Sequence, residues 1–210
     1  MSAENDFAHK LMETQPDRFT SVISEAPSDI RLSAISTALQ IATLVRATRA
    51  SYILLVEDTP IPEQFATSLA TYLALHISGA LGHTGRLEVV EQNPKVATAI
   101  QKAAKQQALS EHVHVHSGNL SSVIHGLNGP YDLAILSGGW SQYEHMQEDI
   151  TRLLRVGGSL TVINTTALAE ASEDSEANAL RRFLVLLAAD ERYLLSTGLN
   201  FAGVIAARIH

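Results

Sequence analysis

The feature that most constrains the fold of this chain is an alternation of short apolar runs with longer helical segments. Runs typical of β-strands occupy, in order, Tyr52–Val56, Arg86–Val90, His112–His116, Asp132–Leu136 and Ser159–Ile163. Segments with helical character lie over Glu63–Ile77, Pro94–Ala108, Leu120–Leu127, Tyr143–Leu154 and Glu176–Ala189. Strands that alternate with helices of this length form βαβ units, so the pattern predicts an α/β fold with a parallel sheet covered by helices on both faces.

The C-terminal residues follow a different pattern. The apolar runs Arg192–Thr197 and Ala202–Arg208 flank a short turn segment, Gly198–Asn200, which predicts an antiparallel hairpin. Five parallel strands followed by such a hairpin favour the doubly wound, seven-stranded, Rossmann-like sheet of class I methyltransferases. A plain dinucleotide-binding fold has no hairpin at this place.

The residues before the first strand are predicted to be helical. Ile30–Ala47 carries apolar residues at helical spacing, Arg18–Glu25 is predicted as a shorter helix, and Phe7, Leu11 and Met12 form a looser pattern. A chain of 210 residues with 46% hydrophobic content can bury one sizeable core. We therefore predict a single domain over residues 1–210, with an N-terminal helical region at 1–50 and an α/β core at 51–210.

Composition excludes several classes of function. The formal net charge of -7 opposes a nucleic-acid-binding surface, which needs clustered Lys and Arg. The chain has no cysteine, which excludes disulfides and thiolate chemistry. No apolar run approaches the roughly 20 residues needed to span a bilayer, and Met1–Lys10 does not have the pattern of a signal peptide. These observations predict a cytoplasmic protein without nucleic-acid or membrane partners.

Four motifs connect the chain to a known family. They are Gly85–Pro94, which ends its strand in an acidic residue, His114–Leu120, Leu127–Leu136 with its Gly-Pro-Tyr-Asp-Leu sequence, and Leu153–Ser159 with Leu-Leu-Arg-Val-Gly-Gly. In order and spacing they resemble the bacterial O-methyltransferases related to catechol O-methyltransferase. The resemblance begins near Pro27 and implies methyl transfer from S-adenosylmethionine (SAM) to a hydroxyl group, usually beside a divalent metal ion.

The adenosine side of the implied cofactor site is well represented. By resemblance, the cofactor contacts Glu91 and Gln92 after the second strand, and Gly118, Asn119 and Leu120 after the third. A carboxylate at the end of a strand can accept hydrogen bonds from both ribose hydroxyls. An amide can donate to and accept from the adenine edge. The alternatives are a solvated acidic residue at position 91 and a turn residue at position 119.

The first strand-to-helix loop departs from the family. A glycine-rich turn is expected there, but the sequence from Glu57 to Pro62 contains no glycine. Pro60 and Pro62 lack amide donors, whereas Thr59 followed by Pro60 suits a helix start. We therefore favour a structural role for this loop. Glu57 remains a candidate partner for the ammonium group of SAM, although its charge would repel the carboxylate of the cofactor.

The metal ligands of the family are also replaced. An Asp expected after the fourth strand corresponds to Ser137, and an Asp-Asn pair after the fifth corresponds to Ile163-Asn164. Hard divalent cations prefer charged oxygen ligands, so we predict no metal here. The general-base Lys of the family falls at about Trp140. Ser137 is retained as a cofactor contact, and Trp140 and Asn164 as acceptor-pocket residues, with Trp140 alternatively packed over the following helix.

Three histidines alternate along the third strand. His112, His114 and His116 share one face, and a His-x-His pair could chelate zinc. In the predicted topology this strand is a sheet edge, where polar residues discourage pairing with other chains. We favour the solvated-edge interpretation over a zinc site.

The sequence thus predicts a divergent SAM-dependent O-methyltransferase without its metal and with an unidentified small-molecule acceptor. No residue stands out as a catalytic base. Two alternatives remain. The chain could be a non-catalytic protein that interacts as a homodimer through its N-terminal helices, or it could bind another adenosine-containing ligand through Glu91 and Asn119.

Overall fold

The computed structural model describes residues 14, 16–58, 63–163, 175–197 and 203–210. The helices in these ranges are α1 Ser28–Thr48, α2 Glu63–Ala80, α3 Pro94–Gln106, α4 Leu120–Gly126, α5 Trp140–Leu153 and α6 Ser175–Ala189. The strands are β1 Tyr52–Asp58, β2 Arg86–Glu91, β3 Val113–Ser117, β4 Tyr131–Gly138, β5 Leu154–Ile163, β6 Tyr193–Thr197 and β7 Gly203–Arg208. A short 3-10 helix at Thr20–Ile23 precedes α1.

The strands form one seven-stranded sheet in the order β3-β2-β1-β4-β5-β7-β6. Strands β1 to β5 are parallel, and β7 pairs antiparallel with both β5 and β6. The predicted fold class and the C-terminal hairpin are therefore confirmed. Chain order reverses between β1 and β4, and ligands of open α/β sheets bind outside the carboxyl ends of the strands at such a switch point.

The sheet separates two hydrophobic cores. The 3-10 helix, α1, α2 and α3 pack on one face, and α4, α5 and α6 pack on the other. Strand β1 serves both cores, because Ile53 and Leu55 point into the first while Leu54 and Val56 point into the second. Burial on both faces explains why this strand is a continuous apolar run rather than an alternating one.

Two predicted boundaries need correction. The helix predicted at Arg18–Glu25 is only a 3-10 turn over Thr20–Ile23. The Asp17 carboxylate accepts the backbone N–H of Phe19 at 2.8 Å, which fixes a tight turn, and Pro27 follows too soon for a longer helix. Strand β5 begins at Leu154 rather than Ser159, since Leu154 already pairs with Tyr131 across an irregularity in the ladder.

None of the helices in the described ranges is long and apolar enough to cross a membrane. Four predicted features lie outside the described residues. They are the helical pattern around Phe7, Leu11 and Met12, the loop Thr59–Pro62, the residue Asn164, and the hairpin turn at Gly198–Asn200.

Candidate functional site

Three of the predicted site residues lie in one row at the carboxyl ends of neighbouring strands. Glu57, the penultimate residue of β1, pairs in register with Glu91 at the end of β2 and with Ser137 in β4. All three are buried: the exposed fractions are 2% for Glu57, 4% for Glu91 and 0% for Ser137. The strand register therefore brings two carboxylates and a hydroxyl together beside the switch point.

Glu91 is held in place by the backbone that follows it. Its Oε1 accepts the N–H of Asn93 at 2.7 Å. Burial, together with the charge of Asp58, raises the pKa of Glu91 from 4.5 to about 7 against the opposing effect of the Asn93 hydrogen bond. A carboxylate that is poised near neutrality in a strand-end pocket is typical of a functional site. A hydroxyl donor that reached Glu91 would favour its ionised form.

Two further acidic residues extend this row. Burial and the charge of Glu176 raise the pKa of Asp58, the last residue of β1. Glu176, at the start of α6, accepts the N–H of Ser141 at 3.4 Å, in the first turn of α5, where the helix dipole favours negative charge. We call Glu57, Asp58, Glu91 and Glu176 the acidic edge. Its charge favours cationic ligands and opposes anionic ones.

Tyr143 lies beneath the acidic edge. The side chain is fully buried, and its hydroxyl has no hydrogen-bond partner of good geometry among the described residues. Burial and the charges of Glu57, Asp58 and Glu176 raise the pKa of this phenol well above its usual value. Tyr143 is therefore a neutral hydroxyl next to the carboxylates. Sequence reasoning does not identify Tyr143 as a site residue, because a Tyr in an amphipathic helix is ordinarily a packing residue.

A pair of glycines at the end of β4 has left-handed backbone conformations. Gly138 and Gly139 have φ angles of +84° and +69°. A Cβ on Gly139 would lie 3.2 Å from Oδ2 of Asp58 and 3.1 Å from a methyl carbon of Leu120. Glycine at position 139 therefore allows the start of α5 to approach Asp58 closely. Positive φ at this place is what brings the acidic edge against a helix N-terminus.

The predicted adenine-side residues have mainly structural contacts. Asn119 is the N-cap of α4, and its Oδ1 accepts the N–H of Ser122 at 3.1 Å and the hydroxyl of Ser122 at 3.2 Å. The side chain is exposed, so its Nδ2 is accessible to a ligand. Gly118 donates its N–H to the carbonyl of Glu91 at 3.3 Å, which ties this turn to the end of β2. Leu120 is fully buried and Gln92 is exposed.

Trp140 is the first residue of α5 and a member of the second core. It is 2% exposed, and its ring meets that of Tyr143 edge-on with centroids 5.5 Å apart. This burial supports the packing alternative over an aromatic floor for a ligand.

The structure describes two of the three residues at the predicted metal position, Ser137 and Ile163. Ser137 is neutral, and Ile163 is 1% exposed and packs in the first core. Within the described ranges, no group of three or more His, Asp or Glu side chains could hold a metal ion. The two described residues at this place thus supply no charged oxygen of the kind such a metal prefers, and the absence of a metal stays a prediction.

Strand β3 is the sheet edge, as predicted, but its histidines are not simply solvated. His116 Nε2 lies 3.0 Å from Oε2 of Glu88, and His112 Nδ1 lies 2.7 Å from the carbonyl of Gly85. Glu88 also accepts the hydroxyls of Tyr52 at 2.8 Å and Tyr131 at 3.0 Å. Burial acts to raise the pKa of Glu88, but these hydrogen bonds and the charge of Arg86 hold it below the usual value.

Sequence reasoning missed this buried carboxylate. The available signal was a lone acidic residue in the middle of the otherwise apolar run Leu87–Val90. A charge at such a position needs partners on the same face of the sheet.

Several solved structures with similar folds are described as methyltransferases. The SAH-bound methyltransferase PaMTH1 of Podospora anserina superposes with a TM-score of 0.77 and 18% identity, covering 100% of this chain and 97% of that chain. The O-methyltransferase of Bacillus cereus in complex with SAH gives a TM-score of 0.74 and 18% identity, covering 100% of this chain and 98% of that one. The fold is that of a class I methyltransferase.

Sequence similarity reaches one curated relative. The chain is 27% identical over 131 residues to catechol O-methyltransferase of Niastella koreensis. The match covers 59% of this chain and 59% of the relative, so it spans less than two thirds of that protein. No protein-family profile matches the chain. The predicted resemblance to catechol O-methyltransferase-like proteins is confirmed, and the low identity fits a divergent sequence.

Proposed function

We propose that this protein is a SAM-dependent O-methyltransferase that works without a metal ion on a small-molecule acceptor. The observation that carries the proposal is the position of Glu91. It is a buried carboxylate at the end of β2 in a class I methyltransferase sheet, next to the switch point. The SAH complexes among the structural neighbours and the similarity to a catechol O-methyltransferase support it.

Different residues of the chain would bind different parts of SAM. Glu91 would accept the ribose hydroxyls, since one of its oxygens bonds to Asn93 and the other can turn to a ligand. Asn119 would donate from Nδ2 to the adenine edge while its oxygen caps α4. Asp58 and Glu57 would attract the positively charged methionyl end. Bound SAM supplies a sulfonium-activated methyl group.

Catalysis would rest on positioning rather than on metal or base chemistry. Ser137 and Ile163 replace charged ligands, and Trp140 stands in place of a basic residue. Holding an acceptor oxygen in line with the methyl group can by itself accelerate transfer by several orders of magnitude. The acceptor proton would leave to solvent as the C–O bond forms and the S–CH3 bond breaks.

Isothermal titration calorimetry with SAM and with S-adenosylhomocysteine tests this proposal. We expect dissociation constants on the order of 1–100 μM, unchanged between buffers containing EDTA and Mg²⁺. Glu91→Ala should weaken binding at least roughly tenfold, because a charge-assisted hydrogen bond contributes about 1.5–3 kcal/mol. The matched control is Glu111→Ala, which removes an exposed carboxylate outside the site and should bind like the wild type.

The same titrations separate the alternatives. Heat with adenosine or ATP, but none with SAM, would favour another adenosine-containing ligand. Absence of heat with every ligand would contradict the proposal. If light scattering then showed a stable dimer, the non-catalytic interaction module would be favoured. Affinity for SAM that is unaffected by Glu91→Ala would contradict the assigned role of Glu91.

A further inference from the structure

A cavity of about 490 Å³ lies away from the acidic edge, between the N-terminal segment, α1 and the C-terminal end of α2. Its walls include Asp17, Arg18, Leu39, Arg46, His76 and Gly79. Helix α2 leaves the carboxyl edge after β1 and has 18 residues, so its far end lies roughly 27 Å from that edge. The cavity is therefore separate from the proposed cofactor site.

Two guanidinium groups converge on Gly79 at the rim of this cavity. Arg46 donates from Nη2 to the carbonyl of Gly79 at 3.2 Å. Arg18 Nη2 lies 3.1 Å from the position that a Cβ on Gly79 would take, and its guanidinium carbon sits 4.5 Å from the centroid of the Phe19 ring. A side chain at position 79 would crowd Arg18. Glycine here thus lets both cations approach the same point of the chain.

Asp17, the carboxylate in the wall of this cavity, is already engaged. Asp17 accepts the hydroxyl of Tyr72 at 2.5 Å, the N–H of Phe19 at 2.8 Å, and lies 3.1 Å from His76 Nε2. Burial acts to raise the pKa of Asp17, but the hydrogen bonds from Tyr72 and Phe19 hold it below its usual value. The charge of Asp17 is thus satisfied on the α2 side. It fixes the Pro16–Phe19 segment rather than pairing with Arg18 or Arg46.

Both arginines keep donors for a ligand. A guanidinium carries five N–H donors in a planar fork, and Arg46 uses one of them on Gly79. Two such forks at one rim match the oxygens of a phosphate or a carboxylate. The wall also contains the polar side chains of Asp17, Thr43 and His76, and an apolar part that includes Leu39, Ala42 and Ala80. A ligand that suits both parts has one anionic group on a compact apolar body.

We propose that this cavity is a second binding site, which takes a small organic phosphate or carboxylate with its anionic group between Arg18 and Arg46. His76 lines the same cavity, so its ring would lie near an anion bound there. Burial lowers the pKa of His76 in the protein alone. An anion beside the ring favours the protonated form, so occupancy of the site should raise this pKa.

Titration with phenyl phosphate, benzoate and phenol at constant ionic strength tests the proposal, with affinity measured by calorimetry and occupancy by the NMR resonances of the His76 ring. Phenyl phosphate and benzoate should bind saturably and move those resonances, and phenol should do neither. Arg18→Gln and Arg46→Gln should each weaken anion binding by about tenfold or more, as expected for a charge-assisted contact.

The matched control is Arg31→Gln, which removes the same charge from α1 at a point about 22 Å along the helix axis from Arg46. It should bind phenyl phosphate within about twofold of the wild type, while affinity for SAM should stay unchanged in Arg46→Gln. If Arg46→Gln does not fold, the anion affinities of Arg18→Gln and Arg46→Lys are compared with that of the wild type instead. Lack of saturation below about 10 mM, an equal loss in Arg31→Gln, or His76 resonances that do not move would each overturn the site.

Discussion

Glu91 is the residue at which folding and function conflict most clearly. A carboxylate that is 4% exposed and has no cationic partner in the described structure costs stability when it ionises. Natural proteins retain such groups where binding or catalysis needs them, and removing them commonly stabilises the fold. Glu88 is equally buried, but it is stabilised by two tyrosine hydroxyls and the charge of Arg86.

Replacing Glu91 with Gln should therefore stabilise the protein at alkaline pH and weaken SAM binding. The folded protein holds the Glu91 proton up to about pH 7, whereas the unfolded chain loses it near 4.5, so native stability falls as pH rises through this window. At pH 8 we expect Glu91→Gln to raise the free energy of unfolding by roughly 1–3 kcal/mol. Urea denaturation at pH 8 and pH 5 measures this gain, which should be several-fold smaller at pH 5. A loss of stability at both pH values would contradict the interpretation.

At the residue scale, sequence reasoning located the ends of strands better than it located partners. Glu91 and Ser137 are predicted from their match to family positions and Glu57 from its place at the first loop, and the structure puts all three in one row. Their roles as ligand contacts remain predictions. Sequence reasoning does not place Glu176 and Tyr143 at this site, because they join it only through the packing of α6 and α5, which lie far from β1 in the chain.

At the scale of elements, the start of α5 decides the shape of the acidic edge. The helix was predicted to begin at Tyr143, but it begins at Trp140 directly after two glycines with positive φ. In a sequence, a glycine pair before an aromatic residue predicts a loop. That the turn is tight follows only from the structure, in which Asp58 lies close to Gly139. The sharp turn shortens the loop and brings Ser141 within reach of Glu176.

Gly139→Ala should destabilise the protein and disturb the acidic edge. A left-handed conformation costs a non-glycine residue about 1–2 kcal/mol, and the new methyl group would press on Asp58. We expect the free energy of unfolding to fall by at least that amount and SAM affinity to fall with it. Gly126→Ala is the control, because a Cβ there meets nothing within 4 Å at the end of α4. Equal stability of the two variants in thermal denaturation would refute this account of the turn.

At the scale of the molecule, the N-terminal helices are part of the same core as the sheet. Ile23 of the 3-10 helix and Ile41 and Val45 of α1 are at most 1% exposed, and they cluster with Ile53 and Leu55 of β1. This packing agrees with the predicted single domain, although the packing alone does not test it. The N-terminal region thus packs on the same side of the sheet as α2 and α3.

The whole chain should therefore unfold in one cooperative step. Urea transitions followed by Trp140 fluorescence, which reports on the second core, and by far-UV circular dichroism, which reports on all helices, should have the same midpoint. Ile41→Ala, in the first core, should lower both midpoints together, with a cost of about 2–5 kcal/mol. A separate early transition in circular dichroism would show that the N-terminal region is an independent unit.

The topology was predictable from the sequence because β1 and β4 are buried on both faces. Strands that are buried on both faces consist of continuous apolar runs, which are easy to recognise in the sequence. The hairpin was predictable from a short turn between two apolar runs. The candidate site was only partly predictable, since its chemistry depends on side chains that meet from α5, α6 and three strands. No local pattern records such meetings.

The division of the sheet into two cores has a consequence for the history of this chain. Its resistance to unfolding comes from apolar side chains on both faces of the sheet, while its proposed chemistry depends on a few polar groups at and around the acidic edge. Cellular quality control degrades proteins that unfold, and this degradation does not depend on the reaction that a protein catalyses. Substitutions at the acidic edge could therefore abolish or change the reaction during evolution, while the amount of folded protein in the cell stayed the same.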